Sequence, residues 1–232
     1  MKRPYYEHGG VTIHHGDCLE VLRDLEESSF DACVTDPPYG LDGAVVRRGG
    51  AEIQDWSNET HNMRVDEAWR ARSVRLLKAD AYHAEFFAGF TAVEAAIAAA
   101  RVAGLTPWRL FYLVKTAPAP TPRPTMMSGV ELALMSFKGK RPWFGGQHPD
   151  RWIGLTPNRL GKAEHPSEKP ESCMGQIVSA LSPRDGTILD PFMGSGTTLV
   201  AAKGRGRRAV GIEIEERYCE IAAKRLAQEV LL

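Results

Sequence analysis

Few features of this sequence point to a metal site, a disulfide framework or a membrane. Its four cysteines form no Cys-x-x-Cys pair, so neither a zinc site nor disulfide bonds are expected. No apolar run approaches the roughly 18 to 20 residues that are needed to span a bilayer. The N-terminal residues MKRPYYEHGG contain no apolar segment typical of a signal peptide, so the cytoplasm is the expected compartment.

A net charge is also lacking, because 29 basic residues balance 29 acidic ones. The balance is uneven along the chain, since residues 101–162 contain ten Lys or Arg but only two acids. Affinity for phosphates depends on local charge, so this segment is compatible with DNA or RNA binding and equally with a solvated basic surface. The composition, with 43% apolar residues, is typical of one globular domain, here expected over residues 1–232.

Apolar runs rich in β-branched and aromatic residues alternate with helical patterns along most of the chain. This alternation predicts an α/β fold with a mainly parallel sheet and helices packed against it. Strands are predicted at 11–14, 30–35, 82–88, 108–114, 130–137, 187–190 and 209–213. Helices are predicted near 18–26, 65–78, 91–103, 172–181, 197–203 and 215–230. Long irregular segments, which are usually functional or disordered, are predicted at 40–64, 116–129 and 139–171.

The tetrad Asp36-Pro37-Pro38-Tyr39 directly follows one of the predicted strands. In an open parallel sheet, ligands bind beyond the carboxyl ends of the strands. A carboxylate and a backbone carbonyl can accept the two N–H bonds of an exocyclic amine and localise its lone pair toward a methyl donor. Tyr39 can stack on an extruded base. A plain turn that ends a strand is the alternative interpretation.

A second motif, TILDPFMGSGTTLVAA, spans residues 187–202. A strand ends at Asp190, and a turn with Gly194 and Gly196 leads into a helix whose N-terminus offers unpaired N–H groups. The pattern is neither G-x-G-x-x-G nor G-x-x-x-x-G-K-[ST], which disfavours a nicotinamide dinucleotide or a nucleoside triphosphate. Glu213 ends the next predicted strand, where a carboxylate can accept hydrogen bonds from ribose hydroxyls. A tight strand–helix turn with a surface acid is the alternative.

Two shorter segments are less specific when each stands alone. The run His165-Pro166-Ser167-Glu168-Lys169-Pro170 precedes a predicted helix. Taken alone, it is typical of an ordinary loop that leads into a helix. In Gly16-Asp17-Cys18-Leu19, which follows the first long strand, Asp17 suits either a helix cap or a ligand contact.

Taken together, these segments resemble the amino-directed DNA methyltransferases, which make N6-methyladenine or N4-methylcytosine. The resemblance is to the group in which the DPPY-type motif precedes the DPFxGSG cofactor motif, and it extends over residues 11–230. It implies a Rossmann-like S-adenosylmethionine-dependent methyltransferase fold, with helices on both faces of a seven-stranded, mostly parallel sheet whose last strand is antiparallel. It also implies S-adenosylmethionine (SAM) as cofactor, double-stranded DNA as partner, base flipping and no metal, and it leaves room for a homodimer.

The resemblance gives each matching residue an expected role. Asp36 and the Pro37 carbonyl hold the target amine, and Tyr39 stacks on the base beside Pro38. Around the cofactor, the acid of the GDC segment faces the adenine, the acid after the second strand binds the ribose, and the KP pair lines the methionine end. The residues expected to bind the cofactor are Asp17, Cys18, Lys169, Pro170, Asp190, Phe192, Gly194, Ser195, Gly196 and Glu213.

Family members often carry a large target-recognition region, whereas this chain has only modest segments at 40–64 and 139–164. A short recognition site or help from a second subunit is therefore expected. The basic segment 101–162 is expected to face the DNA phosphates, with steeply salt-dependent binding. The residues expected to contact DNA are Arg141, Arg151 and Arg159. For Trp56, Trp143 and Trp152, contact with DNA and packing in the protein interior are equally expected.

Asp36 favours adenine N6 as the target, because adenine enzymes of this family mostly carry Asp at that position and cytosine-N4 enzymes mostly carry Ser. A cytosine-N4 DNA methyltransferase is the first alternative. An RNA or protein amine methyltransferase is a second, although in those enzymes the glycine motif usually precedes the tetrad. A third is a DNA-binding relative without catalysis, although both motifs are intact here. Whether a restriction enzyme accompanies the chain is not encoded in these motifs.

Overall fold

The structure is a computed structural model, and it describes residues 3–38, 68–87, 89, 92–118, 129–141, 143–144, 146–161 and 168–228. The predicted recognition segment 40–64 lies outside these ranges, as do Tyr39, Trp56 and the start of the HPSEKP run, residues 165–167.

Nine strands of the described residues form one sheet. Their bounds are β1 Tyr6–His8, β2 Val11–His15, β3 Phe30–Thr35, β4 Leu77–Phe87, β5 Thr106–Lys115, β6 Val130–Lys138, β7 Arg151–Gly154, β8 Thr187–Asp190 and β9 Arg208–Glu213. Their order across the sheet is β1-β2-β9-β8-β3-β4-β6-β5-β7. Strands β2, β9, β8, β3 and β4 are mutually parallel, and β7 runs parallel to β5. Strand β6 is antiparallel to both of its neighbours.

All seven predicted strands are present, and the one expected to be antiparallel, β6, is antiparallel. The sheet also contains two short edge strands that the sequence pattern did not predict. Strand β1 has three residues and pairs antiparallel with β2, and β7 has four residues and lies in a segment predicted to be irregular. Runs this short carry no usable alternation of apolar and polar residues.

Within the described residues, six α-helices connect and cover the strands. They are α1 Cys18–Asp24, α2 Ala68–Leu76, α3 Val93–Val102, α4 Glu171–Leu181, α5 Thr197–Lys203 and α6 Glu216–Ala227. A 3₁₀ helix, Pro157–Leu160, follows β7. None of the described helices is both long enough and apolar enough to cross a membrane.

The core lies in two layers, one on each face of the sheet. Helices α1, α2 and α3 pack on one face, and α4, α5 and α6 pack on the other. Strand β3 shows why both faces are apolar, since Ala32 and Val34 belong to one layer while Phe30 and Cys33 belong to the other. Strands buried on both faces are nearly continuous apolar runs, as is typical of parallel sheets.

The two sides of the sheet at which the strands begin and end differ in function. Strands β2, β9, β8, β3 and β4 all end on the same side, which we call the carboxyl edge. Strand β6 runs the other way and carries the chain back to the opposite, amino edge. Residues that follow the parallel strands therefore meet at the carboxyl edge, whereas those that follow β6 lie far from it.

Candidate active site

Two sequence motifs meet at the carboxyl edge. Asp36 directly follows β3, and Asp190 is the last residue of the neighbouring strand β8. The Oγ1 hydroxyl of Thr35 donates a hydrogen bond of 2.7 Å to Oδ1 of Asp190, which links the two strand ends. Asp36 and Pro38 are partly exposed, whereas Pro37 is buried. The structure thus brings the Asp-Pro-Pro turn and the glycine turn together.

Asp190 is a buried carboxylate at the base of the glycine turn. The backbone N–H of Phe192 also donates to its Oδ1, at 3.2 Å. Burial raises the pKa of Asp190 to about 6 against the opposing hydrogen bonds of Thr198 and Thr35, and the nearby charge of Asp36 raises it further. Asp190 therefore serves as an internal acceptor that fixes the turn between β8 and α5.

The glycine turn requires backbone conformations that favour glycine. Gly194 has a φ of 51° and Gly196, the N-cap of α5, has a φ of 80°. A Cβ atom at Gly196 would lie 2.7 Å from the Cβ of Ala222 in α6. Ser195, between the two glycines, is buried. The turn therefore lies directly against α6, and no larger residue fits at position 196 without movement of one of them.

An aromatic pair supports the turn from α2. The ring of Phe192 meets the ring of Trp69 edge-on, with centroids 5.1 Å apart and planes 89° apart. Trp69 is buried, whereas Phe192 is partly exposed. Trp69 holds the Phe192 ring in place, so an apolar ring is presented at the carboxyl edge.

A buried ion pair lies on the other side of Asp36. Glu85 of β4, which pairs with Thr35 in the sheet register, is bound by two guanidinium nitrogens of Arg70, with Nε at 2.8 Å. Burial raises the pKa of Glu85, the guanidinium of Arg70 opposes this, and the charge of Asp36 adds to it. Asp36 therefore lies among carboxylates, with Asp190 on one neighbouring strand and Glu85 on the other.

Glu213 is half-buried at the end of β9 and is tied to the glycine turn. Its carboxylate accepts hydrogen bonds from the backbone N–H of Gly194 at 3.0 Å and from that of Glu215 at 2.8 Å. Burial raises the pKa of Glu213, and these backbone N–H groups oppose the change. The next residue, Ile214, is 46% exposed. Sequence reasoning missed Ile214, because a single exposed apolar residue forms no pattern.

Asp17 is exposed and caps helix α1, accepting hydrogen bonds from the N–H of Leu19 at 2.7 Å and of Glu20 at 3.2 Å. The capping role predicted for it is confirmed. Cys18 is buried beside it, and burial raises the pKa of its thiol to about 12.

Among the described side chains, no group of three or more His, Cys, Asp or Glu could hold a metal ion.

Lys169 is a buried lysine that contacts Asp36 directly. Its Nζ donates a hydrogen bond to Oδ2 of Asp36 and lies 3.2 Å from Oε2 of Glu131. The resemblance implied that Lys169 and Pro170 line the cofactor. Pro170, which is also buried, is the N-cap of α4. Neither the contact between Lys169 and Asp36 nor the role of Glu131 had a signal in the sequence, because these residues lie far apart along the chain.

A second contact missed from the sequence joins three segments. The Nη1 of Arg225 in α6 donates to the carbonyl of Ser195 at 2.9 Å, to its hydroxyl at 3.0 Å and to Oγ1 of Thr197 at 3.2 Å. The Nη2 of Arg225 lies 3.3 Å from Oε1 of Glu168. Arg225 thus fixes the glycine turn against the residue that precedes Lys169.

The basic segment does not form one face in the part that the structure describes. Lys115 pairs with Glu131 at 2.5 Å, and Lys138 donates to two backbone carbonyls. Arg109 and Arg141 lie over the ring of Trp108, at 4.4 and 4.5 Å from its centroid. Strand β6 is antiparallel to both of its neighbours, so basic residues that precede it and follow it lie at different edges.

The three arginines expected to contact DNA are separated by the same topology. Arg141 follows β6 and lies at the amino edge, away from Asp36. Arg151 is exposed at the start of the outermost strand β7, and Arg159 belongs to the 3₁₀ helix beyond the carboxyl end of β7. The side chain of Arg159 lies outside the described atoms. Only Arg151 and Arg159 therefore belong to elements that lead to the carboxyl edge.

Trp143 and Trp152, which were expected either to contact DNA or to pack, both make packing contacts. The indole N–H of Trp152 donates to Oγ of Ser172 at 3.0 Å, and its ring packs against the core. Trp143 is 47% exposed, donates to the carbonyl of Gly146 at 2.8 Å and meets Trp108 edge-on. Trp143 lies beside Arg141 in the chain, on the amino-edge side.

Comparison with known proteins identifies the family. The family model described as DNA methylase, for N6 and N4 methyltransferases, matches residues 143–224. The chain is 32% identical to YubD of Escherichia coli strain K12, which is named as a methylase, over 91% of this chain and 88% of that protein. The chain belongs to the N6/N4 DNA methylase family. The family predicted from the motifs is thereby confirmed.

Other relatives of this DNA methylase agree in length and fold. This chain is 29% identical to the type II methyltransferase M.ScaI of Streptomyces caespitosus, over 99% of this chain and 85% of that protein. The crystal structure of the M1.HpyAVI–SAM complex superposes with a TM-score of 0.73 at 27% identity, covering 94% of this chain and 100% of the other. The cytosine-N4-specific PvuII DNA methyltransferase gives a TM-score of 0.75 at 19% identity, covering 100% of this chain and 91% of the other, which is a likeness of fold alone. The predicted methyltransferase fold is confirmed.

Proposed function

We propose that this DNA methylase transfers a methyl group from SAM to the exocyclic amine of a flipped base, with adenine N6 as the target. The observation that carries the proposal is the meeting of Asp36 with the glycine turn at one edge, through the hydrogen bond between Thr35 and Asp190. Direct transfer requires the amine acceptor and the cofactor turn to lie close together, and the neighbouring ends of β3 and β8 support this.

The residues around the glycine turn fit SAM by their chemistry. Asp17, Glu213, Asp190 and Asp36 follow or end neighbouring strands, so the carboxyl edge is acidic. Such an edge favours a cationic ligand and disfavours a phosphorylated one. The Glu213 carboxylate can accept hydrogen bonds from ribose hydroxyls, and the exposed side chain of Ile214 offers apolar surface for an adenine ring. When bound, SAM would supply a methyl group activated by a sulfonium charge.

The target amine would be held by the Asp36 carboxylate and the Pro37 carbonyl, each of which accepts one N–H. This localises the lone pair on the amine nitrogen and directs it toward the methyl group. Tyr39, the next residue after Pro38, is proposed to stack on the flipped base. After transfer the methylated amine nitrogen is positively charged and must lose a proton. The Asp36 carboxylate, which would contact this amine, can accept that proton.

Cysteine nucleophiles have no part in this mechanism. All four cysteines are buried, and burial raises the pKa of Cys18, Cys173 and Cys219 to about 12 and that of Cys33 well above its usual value. These thiols therefore stay protonated at neutral pH, and transfer proceeds directly from donor to amine.

Adenine is preferred over cytosine because Asp36 begins the tetrad, as it does in most adenine enzymes of the family. We expect SAM with a labelled methyl group to label DNA but neither RNA nor bulk protein. Digestion of the product to nucleosides should give N6-methyladenine by mass spectrometry. N4-methylcytosine would move the target to cytosine within the same mechanism, and labelling of RNA or protein alone would overturn the proposal.

DNA binding is proposed to involve Arg151 and Arg159 rather than Arg141. We expect Arg151→Ala and Arg159→Ala each to lower the slope of log affinity against log salt concentration by about 1, since each lost phosphate contact releases about one counterion fewer. Arg141→Ala is the control, because Arg141 lies at the amino edge. Titration of labelled duplex DNA at several salt concentrations measures the slopes, and a change for Arg141→Ala alone would reverse the assignment.

Residues 1–232 are proposed to act as one methyltransferase domain in which segment 40–64 and the part of segment 139–164 from β7 onward recognise the target sequence. Recognition segments this short are compatible with a homodimer in which a second copy helps to contact the duplex. Mapping of methylated sites in DNA from cells that express the chain would reveal the recognition sequence and its length.

A further inference from the structure

We infer that Lys169 is a positioning residue that orients the Asp36 carboxylate for the target amine. The inference rests on the proposed function, because it assigns to Lys169 a task in the step that Asp36 performs. It differs from the role implied by the resemblance, in which the Lys169–Pro170 segment lines the methionine end of the cofactor.

The geometry of Lys169 carries the inference. Its ammonium group is buried and bridges two carboxylates, donating to Oδ2 of Asp36 and lying 3.2 Å from Oε2 of Glu131. The Nζ atom also lies 5.0 Å from the centroid of the Phe86 ring, so an aromatic face backs the ammonium group. A side chain enclosed in this way has little freedom to turn, and its contact fixes one oxygen of Asp36.

The charges around Asp36 show why a cation is needed there. Burial would lower the pKa of Lys169, but the carboxylates of Asp36 and Glu131 outweigh it and hold this pKa above its usual value. Burial would likewise raise the pKa of Glu131, but Lys169 and Lys115 lower it. Lys169 therefore stays charged, and Glu131 is compensated from two sides.

Asp36 has further carboxylates on both neighbouring strands. Its negative charge contributes to the raised pKa values of Asp190 on β8 and of Glu85 on β4. Glu85 is compensated by Arg70 and Asp190 by hydrogen bonds, and Lys169 is a basic side chain that contacts Asp36. Without that ammonium group, Asp36 would face Glu85 and Asp190 without the opposite charge of Lys169, and its Oδ2 would lose the contact that orients it.

Replacement of Lys169 tests this role through the pH dependence of the rate. In Lys169→Gln, the acid limb of kcat/KM for DNA methylation should move to higher pH by about 1 to 3 pH units, the effect of removing an opposite charge next to a carboxylate. The deficit should shrink at high pH, and the KM for SAM should change by less than about threefold, well under the tenfold that 1.4 kcal/mol represents. Lys169→Arg keeps the charge and should restore the wild-type acid limb.

A second pair of variants keeps the test decisive if Lys169→Gln folds poorly. Glu131→Gln removes the other carboxylate on the same ammonium group, so its acid limb should stay in place or move to lower pH. The double variant Lys169→Gln/Glu131→Gln should move back toward wild type, because it removes one charge of each sign. Lys138→Gln is the control for loss of a partly buried lysine, since Lys138 donates to the carbonyls of Val74 and Leu77 at the amino edge.

The outcomes separate the competing roles. An increase in the KM for SAM with an unmoved acid limb would assign Lys169 to the cofactor and overturn the inference. A loss that is equal at every pH and is not rescued by Lys169→Arg would make Lys169 merely structural. An upward shift in Glu131→Gln would also contradict the inference. If the wild-type protein transfers no methyl group to DNA, the proposed function itself fails, which is a different result from any of these.

Discussion

Replacement of Asp36 by alanine is expected to lower kcat for DNA methylation by about 100- to 1000-fold, the range found when one preorganised electrostatic contact to a reacting group is removed. Asp36→Ala removes the acceptor for one amine N–H, so the lone pair stays delocalised in the base. The affinity for SAM should change little, because the turn that precedes α5 is held by Asp190 and Glu213. Single-turnover transfer of a labelled methyl group measures the first effect, and calorimetric titration with SAM measures the second.

Asp31→Ala is a matched control for this variant. Asp31 lies on the same strand, β3, near the amino edge, where its carboxylate accepts the backbone N–H of Thr187 at 2.8 Å and pairs with Lys78 at 2.8 Å. Its loss should reduce stability but leave kcat within about threefold of wild type, well under the tenfold that 1.36 kcal/mol of barrier represents. Asp36→Asn, which keeps the shape and an acceptor oxygen but not the charge, should fall between wild type and Asp36→Ala. Full activity in Asp36→Ala would remove Asp36 from the mechanism.

The sheet could be predicted from the sequence because its central strands are apolar on both faces. In β3, Phe30, Cys33 and Val34 are all buried. Such an apolar run predicts a parallel strand even when the neighbouring strands are unknown. The edge strands gave no comparable signal. The exposure of Ile153 in β7, for example, breaks the pattern, because an edge strand with one free side need not be apolar.

The site was predictable where its residues are consecutive and unpredictable where they are not. Asp36 and the glycine turn belong to short local motifs that imply a strand end and a following helix. The pairing of Lys169 with Asp36, and that of Arg225 with Ser195, depends on which strand ends become neighbours. That arrangement results from sheet order, to which no local pattern corresponds.

The basic segment shows a related limit of sequence reasoning. A sum of charges over residues 101–162 treats these residues as one surface. Strand β6 reverses direction, so that Arg141 emerges at the amino edge while Arg159 follows the carboxyl end of β7. Local charge is a guide to DNA contact only when the direction of each strand is known.

Gly196→Ala is expected to destabilise the fold by about 2 to 5 kcal/mol and to weaken SAM binding at least about tenfold. A non-glycine residue in the left-handed region costs about 1 to 2 kcal/mol, and overpacking adds about 1 to 3 kcal/mol. The overpacking arises because the new Cβ would lie 2.7 Å from the Cβ of Ala222. To relieve this contact α6 must shift, and α6 carries Arg225, which binds Ser195 and Thr197 in the same turn.

Gly206→Ala separates the two contributions, because Gly206 also has a positive φ, 70°, but no atom lies within 4 Å of the position of its Cβ. It should therefore cost only the backbone term of about 1 to 2 kcal/mol and leave SAM binding unchanged. Chemical denaturation and calorimetric titration of both variants measure the difference. If Gly196→Ala and Gly206→Ala lose the same stability and bind SAM equally well, the packing of α6 against the glycine turn does not shape the cofactor site. A larger loss confined to Gly196→Ala, in both stability and affinity, would locate the rigidity of that site in the contact between α6 and the turn.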